Sequence, residues 1–117
     1  MTVSNPKFLL LYRHPAAAAA HQPSPAEMQQ MLSQWTQWKQ RFQNEIIDLG
    51  DGLKPDGKLV RAEGVTTDGP FVEAKEVMGG YSIVQAASLA RAAEISRSCP
   101  VLMIPGASVE VRELAGY

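Results

Sequence analysis

The sequence predicts an α+β domain in which two helices lie on one face of an antiparallel sheet. Three observations carry that expectation. The segment Lys7 to Arg13 reads as a strand that is apolar on both alternating faces, as expected of a strand buried from two sides and central in its sheet. An amphipathic helix opened by a capping box follows it. The closing segment, Ala107 to Leu114, alternates strictly, with Val109 and Val111 on one side and Glu110 and Arg112 on the other.

In chain order, Phe8, Leu10 and Tyr12 occupy one face of the first strand, and Leu9 and Leu11 the other. His14 to Pro23 reads as a connection, because its alanine run is short, bounded by prolines and unpatterned. Ser24-Pro25-Ala26-Glu27 has the serine, proline and glutamate of a helix start. Behind it Met28, Met31, Leu32, Trp35, Trp38, Phe42, Ile46 and Leu49 recur at steps of three and four. That spacing predicts one helix of about six to seven turns with Gly50 as its C-terminal cap. Trp35, Trp38 and Phe42 then read more simply as core than as the lining of a ligand site.

Pro55-Asp56-Gly57 predicts a turn before a short strand from Lys58 to Ala62, with a second short strand at Val65 to Thr67. Asp68-Gly69-Pro70-Phe71 is expected to interrupt regular structure. Gly80 to Gln85 reads as a strand, and Ser88 caps a short helix from Leu89 to Ser98, ended by Pro100. The order strand, helix, strand, strand, helix, strand is that of a ferredoxin-like split βαβ unit, spanning residues 1–117 as a single domain. Its second sheet face is left open and partly apolar. Two such faces packed about a two-fold axis would give a homodimer with an enclosed cleft for a small-molecule ligand.

The bulk numbers narrow the function. With 11 basic and 12 acidic residues and a net charge of −1, nothing in the charge favours a nucleic-acid partner or an anionic membrane. The single cysteine, Cys99, excludes an internal disulfide and suits a reducing compartment, so the expected location is the cytoplasm. Cys99 itself reads as a small buried residue, since it lacks the helix N-terminus or basic neighbour of a nucleophile. His14 and His21 have no metal-ligand spacing, and neither a metal nor a cofactor is expected.

Six further polar residues and one histidine stand out as candidates. Asp68 sits at a rigid turn, either aimed into the cleft as a base or anchor, or capping the turn through nearby backbone N–H groups. Glu73, Lys75 and Glu76 form the densest charge cluster, which suits either an acidic substrate or an ordinary solvated loop. Glu110 and Arg112 would face the cleft if the valines face the helices, or be solvated at a sheet edge. His14 follows the first strand, where an imidazole could act as a proton shuttle.

Asp68-Gly69-Pro70-Phe71-Val72-Glu73-Ala74-Lys75-Glu76, followed by Gly79-Gly80-Tyr81, resembles the DGPF branch of the YCII-related family. Leu53-Lys54-Pro55-Asp56-Gly57-Lys58, Ser98-Cys99-Pro100 and Gly106 to Arg112 extend the resemblance over most of the chain. It implies a dimeric α+β barrel built from ferredoxin-like halves. Some members of the broader family carry a paired histidine and aspartate, the histidine within the first helix; this first helix has none, so that dyad does not carry over. The resemblance also suggests an alternative to a small-molecule enzyme or binding protein. Members of the branch are often encoded beside extracytoplasmic-function sigma factors, which fits a non-enzymatic module with a regulatory protein as partner.

Overall fold

The computed structural model describes residues 5–16, 23–69 and 76–116, with the backbone alone at 65–69. Strand β1 (Lys7–Pro15) is followed by helix α1 (Pro25–Arg41) and strand β2 (Ile46–Gly52). A hairpin of β3 (Gly57–Arg61) and β4 (Gly64–Gly69) precedes strand β5 (Glu76–Gln85). Helix α2 (Leu89–Ser96), a 3-10 turn (Pro100–Met103) and strand β6 (Ser108–Glu113) close the chain.

The main sheet is antiparallel with strand order β2-β5-β1-β6. Without the β3–β4 hairpin, this is the ferredoxin-like split βαβ order that the sequence predicts. β1 lies inside the sheet between β5 and β6, as its two-sided apolar pattern requires. Phe8, Leu10 and Tyr12 turn towards the helices and are almost fully buried. They meet Trp38 and Phe42 of α1, Ala92 and Ile95 of α2, and Val84 of β5. Val109 and Val111 pack against the same core, which leaves Glu110 and Arg112 on the face without helices.

The ends of α1 show which local forces act. The Ser24 hydroxyl accepts the Glu27 N–H while Glu27 Oε1 accepts the Ser24 N–H, a complete capping box. The helix stops at Arg41, eight residues before Leu49, where the apolar stripe predicted its end. Ile46 and Leu49 belong instead to β2, the second core strand, and both pack against the core. β2 slips its register against β5 between Ile46 and Asp48 and again between Asp48 and Asp51. A strand with an extra residue in it turns residues three apart to the same side, which copies a helical step. Gly50, expected as a helix cap, lies in this irregular stretch at φ +74, where an added Cβ would stand 1.8 Å from the Tyr81 carbonyl oxygen.

Three smaller expectations change. The strand predicted from Lys58 is the first arm of the β3–β4 hairpin, which forms its own two-stranded sheet outside the main one. Asp68 and Gly69 continue β4 rather than interrupt it, since both pair with β3 through Lys58 and Gly57. β5 begins at Glu76, so Gly79 and Gly80 lie within a strand; α2 ends at Ser96, before the predicted Ser98. Among the described residues no helix is long and apolar enough to cross a membrane.

Candidate functional site

A cavity of ≈ 260 Å³ opens on the helix-covered side of the sheet, under the first half of α1. Its floor is the far end of the sheet, where Tyr12 and His14 of β1 adjoin Gly79, Gly80 and Tyr81 of β5 and Leu49, Asp51 and Gly52 of β2. Met31 and Trp35 form the roof, and Pro100, Val101 and Ile104 the back wall. This cavity lies within the single chain, between sheet and helix, on the face opposite the one where the sequence places a cleft between two copies.

His14 is the residue best placed to do chemistry here. Opposite it β1 and β5 slip register between Tyr12 and Arg13, so that Tyr12 pairs with Gly80 and Arg13 with Met78, leaving Gly79 as a bulge. The imidazole lies across that bulge: a Cβ on Gly79 would stand 2.5 Å from both Cδ2 and Nε2 of His14. Nδ1 is 3.1 Å from the Pro15 carbonyl oxygen. A carbonyl only accepts, so in the neutral ring this contact puts the hydrogen on Nδ1 and leaves Nε2 its lone pair. Among the described residues nothing bonds Nε2, which leaves it available to a ligand.

Tyr12 and Trp35 supply an aromatic corner, with ring centroids 5.6 Å apart and planes tilted by 56°. The Tyr12 hydroxyl donates to Ser82 Oγ at 2.5 Å, and Ser82 Oγ donates to the Leu49 carbonyl at 2.5 Å. That chain ties β1, β5 and β2 together beneath the pocket and occupies the Tyr12 donor. Burial pushes the Tyr12 hydroxyl well above its ordinary range, the nearby Cys99 adding to the effect. Burial likewise pushes the Cys99 thiol up to about 11. Both groups are thus held neutral; Tyr12 serves as wall, while Cys99 is buried in the core, matching its reading as a small buried residue.

The remaining candidates are scattered. Glu110 lies on the open face, accepting Arg13 Nη2 at 3.1 Å, with Arg112 Nη1 at 3.6 Å. Arg112 is 71% exposed, so this edge-strand pair is largely solvated. Glu76 is exposed at the start of β5, opposite Pro15. The backbone of Asp68 sits in β4, while its side chain, with Glu73 and Lys75, lies outside the described residues. Among the described candidates only His14 reaches the pocket. Trp35, set down as core, is half-buried and lines the cavity, while Trp38 and Phe42 are buried as expected. The signal for Trp35 was its position one turn nearer the helix start, beyond the reach of the shorter second helix.

Among the described residues no group of three His, Cys, Asp or Glu side chains is placed to hold a metal. Fold and cavity together define a ferredoxin-like domain with a small, mostly apolar pocket between sheet and first helix. A family model described as the YCII-related domain matches residues 8–115, and the chain belongs to that family. No curated protein matches the sequence.

Proposed function

We propose that this chain binds a small molecule beneath α1 and exchanges a proton with it through His14, as a homodimer closed through its open sheet faces. One observation supports the reading: the His14 imidazole lies across Gly79 in the lining of an aromatic-walled cavity, with Nδ1 on the Pro15 carbonyl and Nε2 unbonded among the described residues. A general base needs that combination of fixed geometry and a free lone pair. The dimer reading draws on Leu9, Leu11, Tyr81, Ile83 and Ile47, which alternation places on the sheet face opposite the helices. The Asp68 motif and the rest of the DGPF-like segment supply the finer family assignment.

The test replaces His14 by Ala and by Gln and measures small-molecule binding or turnover beside the melting temperature. Loss of ligand affinity or rate of tenfold or more, with the melting temperature within a few degrees of the parent, is expected. An unchanged ligand response would remove His14 from the site. The alternative, a regulatory module that captures a protein, draws on the exposed Met28 and Leu32 of α1 beside Leu102 and Met103.

A further inference from the structure

We infer that the pocket takes a small, flat, uncharged molecule of the phenol type, whose hydroxyl donates to His14 Nε2. This rests on the reading above that the cavity is a ligand site, and adds to it the chemical class of the ligand.

Size comes first. At ≈ 260 Å³ the cavity falls below the range of about 300–1,000 Å³ typical of drug-sized ligands, so a one- or two-ring molecule fills it. Shape follows from the walls. Tyr12 and Trp35 meet as a tilted aromatic corner, and Met31, Leu49, Val101 and Ile104 complete an apolar slot. A flat ring gains edge-to-face or offset contact with both aromatic residues, at centroid spacings of about 4.5–7 Å.

Charge decides the class. Asp51 is the one formally charged residue among the described wall residues. It pairs with Tyr81, and paired residues share a sheet face; Tyr81 in turn pairs with Leu11 on the open side. Alternation therefore assigns the Asp51 carboxylate to the open face, where Oδ1 accepts the Gly52 N–H at 2.7 Å. No lysine or arginine is among the described wall residues, and Arg13 and Arg112 both engage Glu110 on the other side of the sheet. Among the described wall residues a neutral His14 offers a carboxylate or phosphate no counter-charge, and an ammonium would meet no carboxylate on this face.

One polar requirement remains. Among the described wall residues the Tyr12 hydroxyl is committed to Ser82, and alternation puts the Tyr81 side chain on the open face with Leu11, so the acceptor free to meet a ligand is Nε2 of His14. A ligand that leaves it unmet forfeits a hydrogen bond, whereas a ligand hydroxyl satisfies it and becomes more acidic through the contact. Proton transfer from that hydroxyl to Nε2 would give a phenolate and an imidazolium, both charges balanced within the pair.

Three probes of matched size separate the possibilities: 4-chlorophenol, 4-chloroanisole and 4-chlorobenzoate, titrated into the full chain and followed by amide and indole NMR shifts. The inference expects 4-chlorophenol to bind at least tenfold more tightly than the other two, with shifts at His14, Gly79 and the Trp35 indole. His14→Ala should erase that preference, and Gly79→Ala should do the same by displacing the ring while keeping every native side chain. If 4-chloroanisole or 4-chlorobenzoate binds as well as the phenol at the same residues, the ligand class is overturned and the pocket reading survives. If no probe shifts the Trp35 indole, the pocket reading falls, and the inference with it.

Discussion

Gly79 shows how a single hydrogen atom in place of a side chain can position a reactive group. The His14 ring occupies the space that a Cβ at residue 79 would need. Gly79→Ala is expected to swing the imidazole away and lower ligand affinity or turnover at least tenfold. The ring is the movable partner in that clash, so the stability loss should stay within about 1 kcal/mol. Comparing chemical melts with activity checks this; a variant that keeps full activity would show that the ring position is irrelevant. Glycine in a strand signals close approach, and the Gly79-Gly80 pair carried that signal. The sequence does not reveal which side chain uses the space, because His14 and Gly79 are brought together only by the register of β1 on β5. Glu110 and Arg112 lie on the open sheet face, where the sequence put them, and so do not line the cavity under α1.

Between elements, Arg91 joins α2 to the turn that leads into β2. Its guanidinium donates to both Glu45 carboxylate oxygens, at 2.9 and 2.7 Å, and a third donor reaches Glu94 at 2.9 Å. It also lies 5.5 Å from the centre of the Phe42 ring. The Arg91 hydrogen bonds hold the Glu45 carboxyl below its ordinary range. A carboxyl depressed in the folded state contributes stability that is present above its unfolded value, about 4.3 for glutamate, and lost as pH falls through the folded value. Thermal melts from pH 7 down to 3 should show the parent more stable than Glu45→Gln at neutrality, with the gap closing in acid. A gap that stays constant with pH would assign the pair no ionic role.

The same region marks where element reading stopped working. Phe42 ends α1 by accepting the Ile46 N–H at 2.8 Å, and two β-branched isoleucines then start a strand. Nothing local distinguishes Ile46 and Leu49 from two more helical positions, because the irregular register of β2 gives them a helical spacing. The capping box at Ser24 and the alternation of β6 were legible because each is satisfied by its own neighbours. The path of β2 is set by β5, whose partner residues, from Val84 opposite Ile46 to Gly80 opposite Gly52, are distant in the sequence.

For the whole molecule, the sheet has one face covered by helices and one that no helix among the described residues covers. Tyr81, Ile83, Leu9 and Leu11 form an apolar field there, flanked by the Arg13–Glu110 pair. If two subunits join through this field, Leu11→Glu should convert the dimer to a monomer in sedimentation at micromolar concentration, because it puts an unpaired charge in the middle of the contact. A parent protein that already sediments as a monomer would overturn the arrangement and leave the pocket untouched, since the cavity lies on the other side of the sheet.

The β3–β4 hairpin stands apart from both faces. Its strands pack chiefly on each other, and Val60 of β3 is 67% exposed. The Cα radius of gyration is 16.0 Å, where a compact chain of this length would give about 13 Å. A two-stranded ribbon without a supporting layer is marginal in water, so it should open and close independently of the sheet. Amide hydrogen exchange should then find residues 57–64 losing their deuterium protection orders of magnitude sooner than β1 and β5. Exchange as slow in the ribbon as in the central strands would mean that something unseen holds it down. A segment that melts alone can be lengthened, shortened or replaced without disturbing the core, which makes it the natural place for an inserted tag or spacer.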